Sequence, residues 1–354
     1  MSRQRGCRRL LLLGALAAAA AVAGAVAWIR APFKGFSGAS VTIEFPIGTS
    51  THQIFERLAT SGVVRDASLA ETYYRVFHRG RALRAGEYGF NGRESLDAVI
   101  GRIVRGEVVR HAVTIAEGLT KEEIFKIFLG QGIGTPQGFA RASRETGLLS
   151  WVSPEYNDLE GFLFPDTYFV TRSTPTRQVL FEMIKNFERH FGPRLRQRME
   201  DRGVTLLQTV TVAALVEKET AIASERPHVA SVYWNRLRLG MRLQCDPTVI
   251  YALARDGKWN GRLRHSDLEY DSPYNTYRYA GLPPGPICNP GGASLSAAAD
   301  PATTPDLYFV ARGDGGHYFS TTYEEHLRSI EQSRRTEEAA EAAAGASGAP
   351  PPPR

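Results

Sequence analysis

Two glutamates set two positions apart raise the question of chemistry. In the stretch TVAALVEKETAIASER, residues 211–226, Glu217 and Glu219 flank Lys218. The apolar periodicity predicts one helix across the whole stretch. With residue 212 at zero and about 100° per residue, Val212, Leu215, Val216, Ile222 and Ala223 fall within about 120° of one another. Glu219 falls at about 340°, inside that set, and Glu217 at about 140°, outside it. Glu217 is therefore expected to point off the apolar face and Glu219 into it. A carboxyl without a partner in apolar surroundings raises its pKa and keeps its proton near neutral pH. A general acid that protonates a leaving oxygen needs that property. The alternative for Glu219 is a buried ion pair, with Arg226, Arg236 or Arg242 as candidate partners.

Further polar groups occur in GMRLQCDPTVIYAL, residues 240–253, where Gln244 and Asp246 precede Pro247. Asp246 is expected to be a helix N-cap with Pro247 at the first helical position. The segment DSPYNTYRYAGLPPGPICNPG, residues 271–291, predicts a long loop carrying Tyr274, Asn275, Thr276, Tyr277 and Tyr279. Flat rings, hydroxyls and an amide suit a carbohydrate; an ordered surface loop pinned by prolines is the other expectation. No nucleophile-elbow, zincin, P-loop or dinucleotide motif is present. His317 and His326 lack metal-ligand spacing and are expected at the surface or as caps.

These groups need elements to hold them, and 354 residues with 43% apolar content suffice for one large domain or two smaller ones. Residues 10–29 contain no charge, come after Arg3, Arg5, Arg8 and Arg9, and are long enough to cross the roughly 30 Å hydrocarbon core as a helix. The arginine bias puts residues 1–9 in the cytoplasm. A cleaved signal peptide ending near Ala25-Val26-Ala27 is the rival; both export the chain beyond residue 30. After a linker at 30–40, residues 41–115 predict a small α+β module. VTIEF is a strand, Ser50 with Gln53 caps a helix with Ile54, Phe55 and Leu58 on its stripe, and Gly106 stops another helix. Residues 116–333 predict a larger α+β domain, with a Thr120–Glu123 capping box and a helix stopped at Gly240. Its extended aromatic segment is LEGFLFPDTYFV, and its hairpin is DLYFVARGDGGHYFS, around Asp314-Gly315-Gly316. Residues 334–354 predict a frayed helix end and a disordered Ala/Pro-rich tail. Cys245 and Cys288 are both exported, so a disulfide is permitted. The net charge of +6 suits an anionic polymer or membrane surface, but no nucleic-acid motif accompanies it.

Four strings carry a resemblance: VEKETAIASERPHVASVYWNRLRLGMRLQCDPTVIYAL, LEGFLFPDTYFV, YNTYRYAGLPPGPICNPG and LYFVARGDGGHYFS. Together they resemble the YceG-like family of endolytic murein transglycosylases, from the N-terminal anchor to about residue 333. The resemblance implies an α+β chain with an N-terminal transmembrane helix, a LysM-like subdomain at 41–115 and a catalytic domain at 116–333. It implies a single-pass inner-membrane protein whose periplasmic part cuts nascent peptidoglycan strands, near peptidoglycan synthases and without metal or cofactor. The family's catalytic glutamate falls on Glu219. Glu217, Gln244, Asp246, Tyr251, Tyr274 and Asn275 fall on family motifs and are expected to position substrate. A hydrolase using Asp246 or Glu217 as second carboxylate, and a non-catalytic wall scaffold, are the competing functions. Cys245, Cys288 and the tail depart from the family pattern.

Overall fold

The computed structural model describes residues 2–149, 152, 156–313 and 315–347. Among them are thirteen α-helices and three two-stranded sheets, a mixed α+β architecture. The chain divides into two compact units, Met1–Ala112 with Phe169–Thr174 and Val113–Tyr168 with Pro175–Arg354.

The first unit begins with α1 (Ser2–Arg30), which contains the one stretch among the described residues long and apolar enough to cross a membrane, Leu13–Arg30. Leu13, Leu16 and Val22 on it are exposed. Then come β1 (Val41–Phe45), α2 (Thr51–Thr60), α3 (Ala67–Phe77), β2 (Gly86–Phe90) and α4 (Leu96–Arg105), with β3 (His111–Thr114) at the unit's edge. β1 and β2 are antiparallel, with Ile43 opposite Tyr88. Ser50 and Gln53 form the expected capping box, and Ile54, Phe55 and Leu58 are buried. Gly106 ends α4 in the left-handed conformation, as the sequence predicts.

The second unit contains α5 (Lys121–Gly130), α6 (Pro136–Ala142), α7 (Thr176–His190), α8 (Pro193–Asp201) and α9 (Leu206–Glu219), while β4 (Thr167–Val170), like β3, has residues in both units. It continues with α10 (Arg226–Arg238), α11 (Asp246–Arg255), α12 (Gly292–Ala299), β5 (Tyr308–Ala311), β6 (His317–Ser320) and α13 (Tyr323–Ser347). β3 pairs with β4, and β5 with β6 in an antiparallel hairpin. The turn residue Asp314 lies outside the described residues. Thr120 and Glu123 form the expected capping box.

At the centre is α9, packed by α8, α10, α11 and α12. Every residue from Thr209 to Val216 is buried. Residues 211–226 do not form one helix: Thr220 takes an extended conformation (φ −135°, ψ 131°), so Glu219 is the last helical residue. Ile222 and Ala223 lie in the turn beyond it. The extended aromatic segment also breaks. Gly161 sits at φ +88°, where an added Cβ would lie 2.4 Å from the Pro286 ring, and the strand begins only at Thr167. In the segment expected to hold a helix end and a tail, α13 runs to Ser347, as the Ala- and Glu-rich composition there favours. Residues 348–354 lie outside the described residues.

Candidate functional site

Three elements of the second unit converge on Glu219. It ends α9, where the unpaired carbonyls and the helix dipole disfavour a negative charge. Tyr233, buried on α10, donates its hydroxyl to Glu219 Oε1 at 2.8 Å. Cys245, buried at the start of α11, brings its thiol against the same carboxyl. The Glu219 side chain itself is half-buried. Burial pushes its pKa up; polar contacts with Cys245 and Tyr233 oppose the shift, Asp246 reinforces it, and His317 opposes it. Among the described residues no ion pair includes Glu219. The three candidate arginines are engaged or absent: Arg226 pairs with Glu217 at 3.2 Å, and Arg236 donates to the carbonyls of Leu307 and Leu243. Arg242 is exposed. The buried-ion-pair alternative therefore fails.

Glu217 corrects the helical-wheel expectation. Its side chain is only 6% exposed, not outward-facing. One oxygen accepts from Arg226 Nη2 at 3.2 Å and the other from the Gly291 amide at 3.0 Å. Glu117 approaches the same guanidinium at 3.8 Å. The wheel assumed one apolar face, whereas α9 is enclosed on all sides. What separates the glutamates is the partner that each meets.

Asp246 is the first helical residue of α11, and Cys245 is its N-cap, without a side-chain capping bond. The N-cap expectation is thus off by one position. The Asp246 carboxyl is exposed and accepts from Tyr277 at 2.5 Å. Gln244, exposed beside it, adopts φ +52°, a left-handed conformation uncommon outside glycine. Its amide and that of Cys245 donate to the Thr276 carbonyl and hydroxyl, which ties the start of α11 to the 271–291 loop.

Asn275 is fully buried, with its carboxamide donating to the Leu268 and Tyr270 carbonyls and accepting from the Tyr277 amide. That arrangement orders the loop from inside, contrary to a substrate-facing role. Tyr251 and Tyr274 belong to a second cluster. Their rings lie 4.9 Å apart, and Tyr251 donates to Glu160 Oε2 at 3.3 Å. Tyr251 also lines a cavity of about 270 Å³ with Lys121, Lys126 and Arg255.

Glu160 is the carboxylate that sequence reasoning missed. It is 1% exposed and accepts from the Lys121 amide at 3.0 Å and Asn289 Nδ2 at 2.9 Å. Burial, reinforced by Glu122, pushes it up to about 8, against the opposing charge of Lys121. Its signal was available: an ionisable residue inside the apolar run LEGFLF. Tyr233 offered no such signal, because a tyrosine on a buried helix resembles core. His317, expected at the surface or as a cap, is largely buried; its amide and ring both contact Glu225, the ring at 2.7 Å. Cys245 and Cys288 are both free thiols, so the permitted disulfide is not formed.

Known proteins share this sequence and fold. The YceG-like family model matches residues 43–332. An endolytic murein transglycosylase of Bacillus subtilis is 33% identical over 318 residues, covering 85% of this chain and 87% of its own. Its namesake from Streptococcus pneumoniae is 28% identical over 332 residues; the match covers 85% of this chain and 60% of that relative. A crystal structure of a YceG-like protein from Listeria monocytogenes aligns with a TM-score of 0.53 at 31% identity, covering 82% of this chain and 98% of that one. With a family match spanning most of its length and a relative this similar over most of both chains, the chain belongs to the YceG-like family.

Proposed function

We propose that this chain is an endolytic lytic transglycosylase that cuts the β-1,4 bond between MurNAc and GlcNAc inside nascent peptidoglycan strands and so ends glycan elongation. The carrying observation is Glu219: a lone, half-buried carboxyl at a helix C-terminus, held by Tyr233 and free of any ion pair among the described residues. Protonated Glu219 gives its proton to the glycosidic oxygen. As carboxylate it then takes the proton from the MurNAc C6 hydroxyl, which attacks C1 and leaves a 1,6-anhydro end. Ordinary glycosidases need a second carboxylate. Here the substrate carries its own nucleophile at high effective concentration. The state of Glu217 disfavours it as the second carboxylate of a hydrolase, since both of its oxygens are engaged by Arg226 and Gly291, which leaves Asp246 as that alternative's candidate. Asp246 and Gln244, exposed beside Cys245, are the residues best placed to meet the sugar and stabilise developing positive charge.

The same proposal takes residues 116–333 as the catalytic domain and 41–115 as a LysM-like subdomain, supported by the β1–α2–α3–β2 order. It takes α1 as a single-pass inner-membrane anchor with a cytoplasmic N-terminus and a periplasmic remainder, within reach of peptidoglycan synthases. The test is digestion of uncrosslinked glycan strands and mass analysis of the products. Anhydro ends from wild type and none from Glu219→Gln are expected. Reducing MurNAc ends alone would favour the hydrolase.

A further inference from the structure

Resting on the transglycosylase proposal, we infer that Tyr233, backed by Cys245, is a positioning residue that holds Glu219 Oε1 and leaves Oε2 as the oxygen that carries and delivers the proton. A neutral carboxyl has one carbonyl-like oxygen and one hydroxyl. The Tyr233 hydroxyl donates to Oε1 at 2.8 Å, which makes Oε1 the carbonyl-like one.

The surroundings keep that donor in place. Tyr233 is 1% exposed, and its ring meets Phe309 edge-on at 5.9 Å, 89° between planes. Burial keeps the phenol protonated by pushing its pKa far up. Cys245 is fixed through its backbone: its amide donates to Thr276 Oγ1 at 3.0 Å, and its carbonyl accepts from Thr248 Oγ1 at 2.7 Å. Its thiol therefore meets both Glu219 and Tyr233 from a set position. The other charged or titratable groups acting on this carboxyl are Asp246 from α11 and His317 from β6, the latter bound to Glu225. Tyr277, bonded to Asp246, is the neighbouring phenol. Of these two phenols, Tyr233 is the one that hydrogen-bonds to Glu219.

A phenol that donates to a carboxyl favours its ionised form. Removing the hydroxyl raises the pKa of Glu219 and lets the acid keep its proton to higher pH. With Tyr233→Phe, kcat on the plateau should fall about tenfold, the loss of one hydrogen bond to an ionisable group. KM should stay constant, and the alkaline limb of kcat should move up by about one pH unit. Cys245→Ala should move the limb in the same direction, and Cys245→Ser should restore it. A purely structural role for the phenol would lower the amount of folded enzyme without moving the limb.

The measurement is kcat and KM on glycan strands from pH 5 to 10 for wild type, these variants and Glu219→Gln, with melting temperatures alongside. An unmoved limb and unchanged kcat in Tyr233→Phe overturn this inference alone, provided Glu219→Gln is dead. A Glu219→Gln enzyme that still cleaves overturns the underlying function and this inference with it. Should Tyr233→Phe not fold, the Cys245→Ala limb decides: no shift there overturns the clamp.

Discussion

Two glutamates two residues apart meet opposite fates. Glu219 keeps a carboxyl with a hydrogen-bond donor but no cation, and burial raises its pKa. Glu219→Gln should retain the fold and lose at least about 100-fold in kcat, the usual contribution of a general acid. Wild-type activity should fall as pH rises through the raised pKa, because the acid then lacks its proton; a profile without an alkaline fall would contradict a single buried acid. Glu217→Ala should do the reverse and chiefly harm stability. It strips a buried Arg226 of its closest carboxylate, at a cost of about 3 kcal/mol. Denaturant titration of the two variants side by side separates the roles.

At the scale of elements, what matters is where helices stop. The break at Thr220 moves Glu219 from a helix interior to a helix end, and Ile222 donates back to the Thr220 hydroxyl to shape the turn. Periodicity extends a helix as long as the residues allow it. It could not show that the break brings Tyr233 of α10 over Glu219. A similar junction forms around Glu160, which joins the first turn of α5 to α11 through Lys121, Asn289 and Tyr251. Unfolded glutamate titrates near 4.5, and folded Glu160 near about 8. The folded state thus binds this proton more tightly. The stability that this group contributes is complete below about pH 4.5 and is lost as pH rises to about 8. Glu160→Gln should flatten the pH dependence of unfolding between those limits, as read by urea titration. A slope unchanged from wild type would show that another group sets it.

Across the whole chain, the proposal assigns anchoring to the first compact unit and chemistry to the second. The end of α1 belongs to the first unit: Val26 and Ile29 pack against the core that holds Phe55 and Tyr88, and Arg30 pairs with Asp97 at 2.6 Å. The exposed apolar side chains lie farther back along the helix. Deleting residues 1–30 should move the protein from the membrane fraction to the soluble one in cell fractionation, while glycan cleavage by the purified protein continues. Retention in the membrane fraction would point to a second attachment surface.

The sequence by itself determined the features whose causes are local. Capping boxes at Ser50 and Thr120, the left-handed stop at Gly106, the β5–β6 hairpin and the apolar length of α1 each depend on residues a few positions apart. It also singled out Glu219, because a carboxyl inside an apolar pattern is visible without coordinates. Only the tertiary structure decided what each polar group faces. Glu217 meets Gly291 across 74 residues, and Glu160 meets Asn289 across 129. Asn275 turns inward to hold its own loop, and Cys245 and Cys288 stay apart as free thiols. The reason is physical. A buried polar group must find a partner, and which partner it finds depends on how distant segments pack rather than on its neighbours in the chain.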